Sequence, residues 1–138
     1  MRVTFRLVGV VLAVGLLGIS IHAAADAAVA DFAKAQQWSS VADLVRQRVD
    51  VNAPQADGTT ALHWAAHWND STTAALLIEA GADVTAVTHT GVSALSLACE
   101  NGNPAIVGLL LRAGATVNVA AVGGVTPLLH AAQSGHAD

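Results

Sequence analysis

Three stretches of the chain lie one under another: "DGTTALHWAAHWND" (57–70), "TGVSALSLACENGN" (90–103) and "GGVTPLLHAAQSGH" (123–136). They align without gaps at a step of 33 residues, so that Gly58, Gly91 and Gly124 coincide. The flanking segments "LVRQRVDVN" (44–52), "LLIEAGADVT" (76–85) and "LLLRAGATVN" (109–118) keep the same step, with Gly81 over Gly114 and Asp50 over Asp83 and Thr116. A fixed period of this length marks a stack of similar units. Each unit buries its apolar face only against its neighbours.

The residues within one period predict a helix, a tight turn and a second helix. Thr60, Ser93 and Thr126 are hydroxyl residues placed to cap a first helix. Pro127 then falls at the first helical position, where its missing N–H costs nothing. Leu62, Leu95 and Leu128 begin a buried stripe, and the pairs Ala65-Ala66, Ala98-Cys99 and Ala131-Ala132 are small enough for helices to approach closely. Gly102 and Gly135 permit the left-handed turn between helices, and Asn69 stands there in the preceding period. Asn103-Pro104 and Asp70-Ser71 open the second helix, whose apolar face is expected from Leu76, Leu77, Leu109, Leu110 and Leu111. Gly81 and Gly114 end it.

These motifs resemble the ankyrin repeat: a β-turn, a helix opened by T-P-L-H, a tight turn, a second helix ending L-L-x-x-G-A, then D-V-N. "TPL" stands intact at Thr126–Leu128, "ALH" at Ala61–His63 keeps the histidine but not the proline, and "LLxxGAxV" is kept twice. The resemblance covers about residues 27–138. It implies an all-α repeat solenoid of helix-turn-helix repeats joined by β-hairpin-like loops. The units are then 26–56 (a degenerate N-terminal repeat), 57–89, 90–122 and a truncated 123–138.

In the first unit, residues 27–38 are expected to be helical, with Val29, Phe32 and Ala33 on the apolar side. Ser40 and Asp43 have the spacing of a capping box, and Val41, Leu44 and Val45 follow at helical spacing. Arg46, Gln47 and Arg48 take the place of "EAG". A polar, atypical end unit is what a solenoid needs as a cap. At the other end Asp138 falls where a further helix would cover Leu128 and Ala132, so the chain is expected to continue.

The N-terminus has a different character. Arg2 and Arg6 precede an apolar run from Leu7 to Ile21, followed by the small residues "HAAADAAVA". This is the layout of a secretory signal peptide, expected over residues 1–25, with cleavage sites at Ala23–Ala25 or Ala28–Ala30. The alternative is an uncleaved anchor: the uncharged span Leu7–Ala25 is 19 residues, close to the ~20 a bilayer requires. Its tail is alanine with His22, which is weakly apolar and favours cleavage. The short charged start and A-x-A sites have a bacterial look. An exported protein, periplasmic or secreted, is therefore expected, with membrane contact only if this segment stays attached.

Composition excludes several functions. The 138 residues are 54% hydrophobic and 12% charged, enough for one buried core. Net charge is −4, and no Lys/Arg cluster exists to replace phosphate counterions, so nucleic acid is not expected as a partner. Cys99 has no second cysteine to pair with and reads as a structural thiol. No nucleophile, phosphate-binding or zinc-protease motif is present, so neither catalysis, a cofactor nor a small-molecule substrate is expected.

His63 and His67 stand at i and i+4, half of a zinc site. Asp70, His89 and Glu100 are conceivable third ligands, but none forms a recognised spacing with the pair, and no metal is expected. The resemblance gives His63 a structural role, hydrogen-bonded towards a neighbouring turn, and places Trp64, like Leu97 and His130, between repeats. His67 and Trp68 instead fall on the two variable positions that in this family face the concave binding groove.

Function is then expected to be binding of a protein partner. The resemblance offers as groove residues Ala56, Asp57 and Thr59; His67 and Trp68; His89, Thr90 and Val92; Glu100 and Asn101; Val122 and Val125; and Gln133 and Ser134. Trp68 is the favoured anchor, because exposed tryptophans dominate interface energetics; the alternative is that it packs along its own helix. A second reading makes this chain the N-terminal recognition arm of a larger exported enzyme or receptor. The register itself is testable. Gly91→Val is expected to disturb the junction of loop and helix and lower thermal stability, and an unchanged melting curve would overturn the alignment.

Overall fold

A computed structural model of the chain describes residues 28–118 and, beyond them, Gly124, Thr126, Ala132 and Gly135. The expected signal segment, and Val122, Val125, Pro127, Leu128, His130, Gln133 and Ser134, lie outside the described residues. Among the described residues there are six helices: α1 (Ala28–Lys34), α2 (Trp38–Arg46), α3 (Ala61–His67), α4 (Ser71–Glu79), α5 (Ala94–Glu100) and α6 (Pro104–Arg112). They pack as two rows. The short first helices α1, α3 and α5 form an inner row, and α2, α4 and α6 form an outer one, each helix touching its neighbour in the row and its partner in the pair. This is the all-α repeat solenoid. No helix of the described residues is long and apolar enough to cross a membrane.

Small side chains set the inner-row spacing. Ala61, Ala65, Ala94 and Ala98 are fully buried between helices. Val29, Leu62 and Leu95 form one buried column, and Leu77 and Leu110 of the outer row close the core against it. Burying one such side chain contributes roughly 1.5–3 kcal/mol. Phe32 occupies the position of Ala65 and Ala98 and is partly buried against the core. Leu76 and Leu109 are half-buried as the stripe requires, but Leu111 is exposed, since it sits one residue past the inward-facing Leu110.

Caps place the helix starts where the side chains dictate. The Asn103 side-chain oxygen accepts the N–H groups of Ala105 and Ile106 at 3.1 and 3.2 Å, with Pro104 just inside the helix. Asp70 accepts Thr73 N–H at 2.7 Å, and Ser93 accepts Ser96 N–H at 3.1 Å. The first unit corrects two expectations. Residues 27–38 are not one helix: α1 stops at Lys34, a turn passes through Gln36, and Trp38 already begins α2. Ser40 and Asp43 make no capping box, because both lie inside α2, where Asp43 instead pairs with Arg46 at 2.6 Å.

The period nevertheless runs through that first unit in its backbone. Gln36, Asn69, Gly102 and Gly135 all adopt positive φ, at 57°, 59°, 62° and 77°. Arg48, Gly81 and Gly114 repeat the pattern at the end of the second helix, at 59°, 92° and 93°. Each second helix closes the same way: the N–H of Val49, Ala82 and Ala115 returns to the carbonyl of Leu44, Leu77 and Leu110 at 3.1, 2.9 and 2.9 Å. That six-residue closure requires a left-handed residue just before the returning N–H.

Arg48 therefore carries a strain that glycine avoids at the equivalent positions. A left-handed L-residue costs about 1–2 kcal/mol, and glycine's extra chain entropy gives back about half of it. Arg48→Gly is expected to stabilise the fold by about 0.5–1 kcal/mol. Gly81→Arg should do the reverse, although a Cβ there meets nothing within 4 Å. Urea midpoints at constant slope measure both; equal midpoints for Arg48→Gly and wild type would contradict the argument.

Candidate functional site

Between helix pairs the chain makes short loops, or fingers, projecting from the inner row. In the second unit Gln55 N–H donates to Thr59 O at 2.8 Å around Gly58; in the third, Thr88 N–H donates to Val92 O at 2.9 Å around Gly91. The third finger adds an antiparallel bridge between Val87 and Ser93. His89 N–H reaches across to Asp57 O at 2.9 Å and ties one finger to the next. The contact is close: a Cβ on Gly58, whose φ is +85°, would lie 3.1 Å from His89 N.

His63 sets the second tie. Its Nδ1 accepts Thr60 N–H at 3.2 Å and the Thr60 hydroxyl at 2.9 Å. A backbone N–H can only donate, so Nδ1 carries no proton. Nε2–H then donates to Val92 O in the next finger at 3.1 Å. Both ring nitrogens of this buried, neutral imidazole are thus spent on structure. Burial pushes its pKa below the ordinary 6.5, against the smaller opposing pull of the Val92 carbonyl. Among the described residues no three His, Cys, Asp or Glu side chains are placed to share a metal ion.

The fingers and inner helices enclose a cleft of about 400 Å³. Asp57, Thr59, His67, His89, Thr90 and Val92 of the expected set line it. Five of these are exposed or half-buried; Thr59 is 8% exposed, so its side chain is structural rather than a contact residue. It lies inside the Gln55–Thr59 turn, and its N–H binds Asp57 Oδ1 at 2.9 Å. That N–H bond is the largest cause holding the Asp57 carboxyl below its usual value of 3.8, with Lys34 adding a smaller pull.

Trp68 and Glu100 are exposed at the ends of α3 and α5, outside the cleft lining. Trp68 is 42% exposed and meets the His67 ring edge-on at 4.8 Å, so it packs along its own helix and still presents a face to solvent. Asn101 is exposed, and its amide donates to Ala66 O at 3.1 Å and His67 O at 2.9 Å, capping the end of α3. Gln133 lies outside the described residues.

Sequence reading missed several cleft residues. Trp64 and Leu97, expected to be packed between repeats, are half-buried and wall the cleft. Trp64 Nε1–H donates to Gln55 Oε1 at 2.9 Å, and the Gln55 amide in turn binds Asp31 Oδ1. The Lys34 ammonium lies 5.5 Å from the Trp64 ring centre. The period aligns Gln55 with Thr88, which gave no hint of a bond to Trp64. Cys99 is half-buried, and burial raises its thiol pKa, which favours the protonated form.

A three-copy model described as ankyrin repeats matches residues 76–138, and a single ankyrin repeat model matches 57–89. The chain belongs to the ankyrin repeat family. Ankyrin repeats mediate protein–protein interaction and are typically non-catalytic. A comparison with curated proteins gives no match. The helix pair at 28–46 precedes the matched residues and shares the ankyrin period in its left-handed turns.

The His63 bonds give a pH dependence with a definite sign. The folded state keeps His63 neutral, while the unfolded chain takes up a proton below about 6.5. Stability is therefore expected to fall as pH drops through 6.5, and to go on falling until the folded imidazole itself titrates. Asp57 and Asp83, both held below 3.8, add a separate loss only at more acid pH. Urea midpoints at about pH 7.5 and 5.5 isolate the first step. His63→Ser, the residue found at Ser96, should remove that step and lower stability at neutral pH by about 1–3 kcal/mol. An undiminished step in the variant would assign it elsewhere.

Proposed function

We propose that this protein is an exported interaction module that docks a protein partner on the face formed by its fingers and inner helices, with no chemistry of its own. The observation that carries this reading is the cleft between the second and third fingers. It brings Asp57, His67, His89, Thr90 and Val92 together from three separate stretches of sequence on one preformed surface. Two ties between the fingers, His89 N–H to Asp57 O and His63 to Val92 O, hold that surface before any partner arrives. A surface that needs no ordering binds without that entropic cost.

Trp68, exposed just beside the cleft, is the proposed anchor, with His67 supporting its ring. Glu100, on the next inner helix, extends the contact surface. Export rests on the N-terminal pattern of Arg2 and Arg6 followed by the apolar run to Ile21. Absence of chemistry is supported by the two most reactive candidates: His63 has both nitrogens engaged, and the Cys99 thiol is held protonated by burial.

Site-specific photo-crosslinking in the producing cells tests the docking face. A crosslinking amino acid at Trp68 or Thr90 is expected to give a discrete protein adduct; the same group at Thr72 or Glu79, exposed on α4, should give none. Adducts from α4 alone, or from neither face, would overturn the reading.

A further inference from the structure

The cleft has a chemical character beyond its shape. Its walls include Trp64, His67, Val92 and Leu97, two rings and two aliphatic groups, and Asp57 contributes its one carboxylate. An aliphatic stem between such walls with a charged head beside a carboxylate is the way long basic side chains are held. An indole is also the best aromatic partner for a cation.

The protein supplies its own precedent. Lys34 reaches from α1 to set its ammonium 5.5 Å from the centre of the Trp64 ring, and its charge adds the smallest of the influences that favour the ionised Asp57. The same wall and the same carboxylate thus already attract one cation. Charge on the surrounding surface points the same way. Among the described residues, Arg46, Arg48 and Arg112 lie in or just after the outer helices, which leaves Lys34 as the sole lysine or arginine of the inner row and fingers, beside the histidines His63, His67 and His89. Asp31, Asp57 and Glu100 are all on inner-row helices or fingers, so an acidic group entering the cleft meets more negative charge than positive.

We propose that the cleft between the second and third fingers receives one basic side chain, arginine or lysine, from the partner protein. This rests on the interaction-module reading and specifies the chemistry of its partner. Lys34 competes for the same ring and carboxylate, so it tunes the cleft against weakly held cations.

The test is an NMR titration of the isotope-labelled protein with acetyl-Gly-Arg-Gly-amide, and in parallel with its glutamate counterpart, following the Trp64 indole N–H and the Thr59 amide. The arginine peptide is expected to give saturable shifts at both, and the glutamate peptide none. Asp57→Asn removes the charge while keeping an oxygen for the Thr59 N–H, and is expected to weaken arginine binding about twofold to fivefold. Lys34→Ala should tighten it by a similar factor of about two to five. If the glutamate peptide saturates instead, the cleft takes an acidic group; that result, or weaker arginine binding in Lys34→Ala, overturns the proposal. If no peptide saturates while Trp68 and Thr90 still crosslink a partner, the basic-side-chain inference falls and the docking face stands. Loss of those crosslinks as well removes both.

Discussion

Each helix pair turns over at two left-handed residues, and the placement of everything else depends on those turns recurring every 33 residues. The first returns the chain antiparallel; the second aims it into the next finger. Gln36, Asn69, Gly102 and Gly135 hold the first position, and Arg48, Gly81 and Gly114 the second. A one-residue slip at either would rotate the following helix by about 100° and turn Leu62 or Leu77 out of the core. Glycine makes such turns at little steric cost. In the first unit the fold imposes them on glutamine and arginine, which shows that packing against α3 and α4 outweighs local preference there.

Polar bonds between units convert that stacking into a fixed surface. Asn52 is one example: its amide donates to Gly81 O at 3.0 Å and its oxygen accepts Asp83 N–H at 2.6 Å, so one side chain clamps the end of the next outer helix. Asn101 works in the opposite direction and caps the helix before it. His63 and His89 do the same for the fingers. All these bonds run only between adjacent units. Cleft width is therefore a nearest-neighbour property, determined by the second and third units.

Much of this was legible in the sequence because the period repeats the same physical demands. A hydroxyl or Asn/Asp before a helix, glycine at a left-handed turn and leucine on the buried stripe each solve one local problem, and three copies at one step leave little room for another register. The first unit was less legible for the same reason. Gln36 and Arg48 do not look like turn residues, so residues 27–38 read as one helix and Ser40 as a cap. Site residues divided in the same way. Exposure at Asp57, His67, His89 and Thr90 was implied by the resemblance to the ankyrin repeat, once the period had set the register. The roles of Thr59 and Asn101 depend on a turn closing over one and on a neighbouring helix end offering carbonyls to the other, and no spacing records either.

The two histidines that share a helix face illustrate how one fold separates structure from recognition. His63 and His67 are one turn apart on α3. His63 points between fingers, where Thr60 and Val92 fix its tautomer and engage both ring nitrogens. His67, one turn later, lines the cleft, and its side chain contacts the rings of Trp64 at 5.6 Å and Trp68 at 4.8 Å. The inner helices have seven residues each, barely two turns, so the first turn is spent joining units and the second is left free to vary. Ser96 and Glu100 repeat the division in the next unit: Ser96 is buried and bonded to Ser93, and Glu100 is exposed. The first turn of each inner helix thus carries the bonds that join units, and the exposed positions left to vary lie in its last turn and at the fingertips.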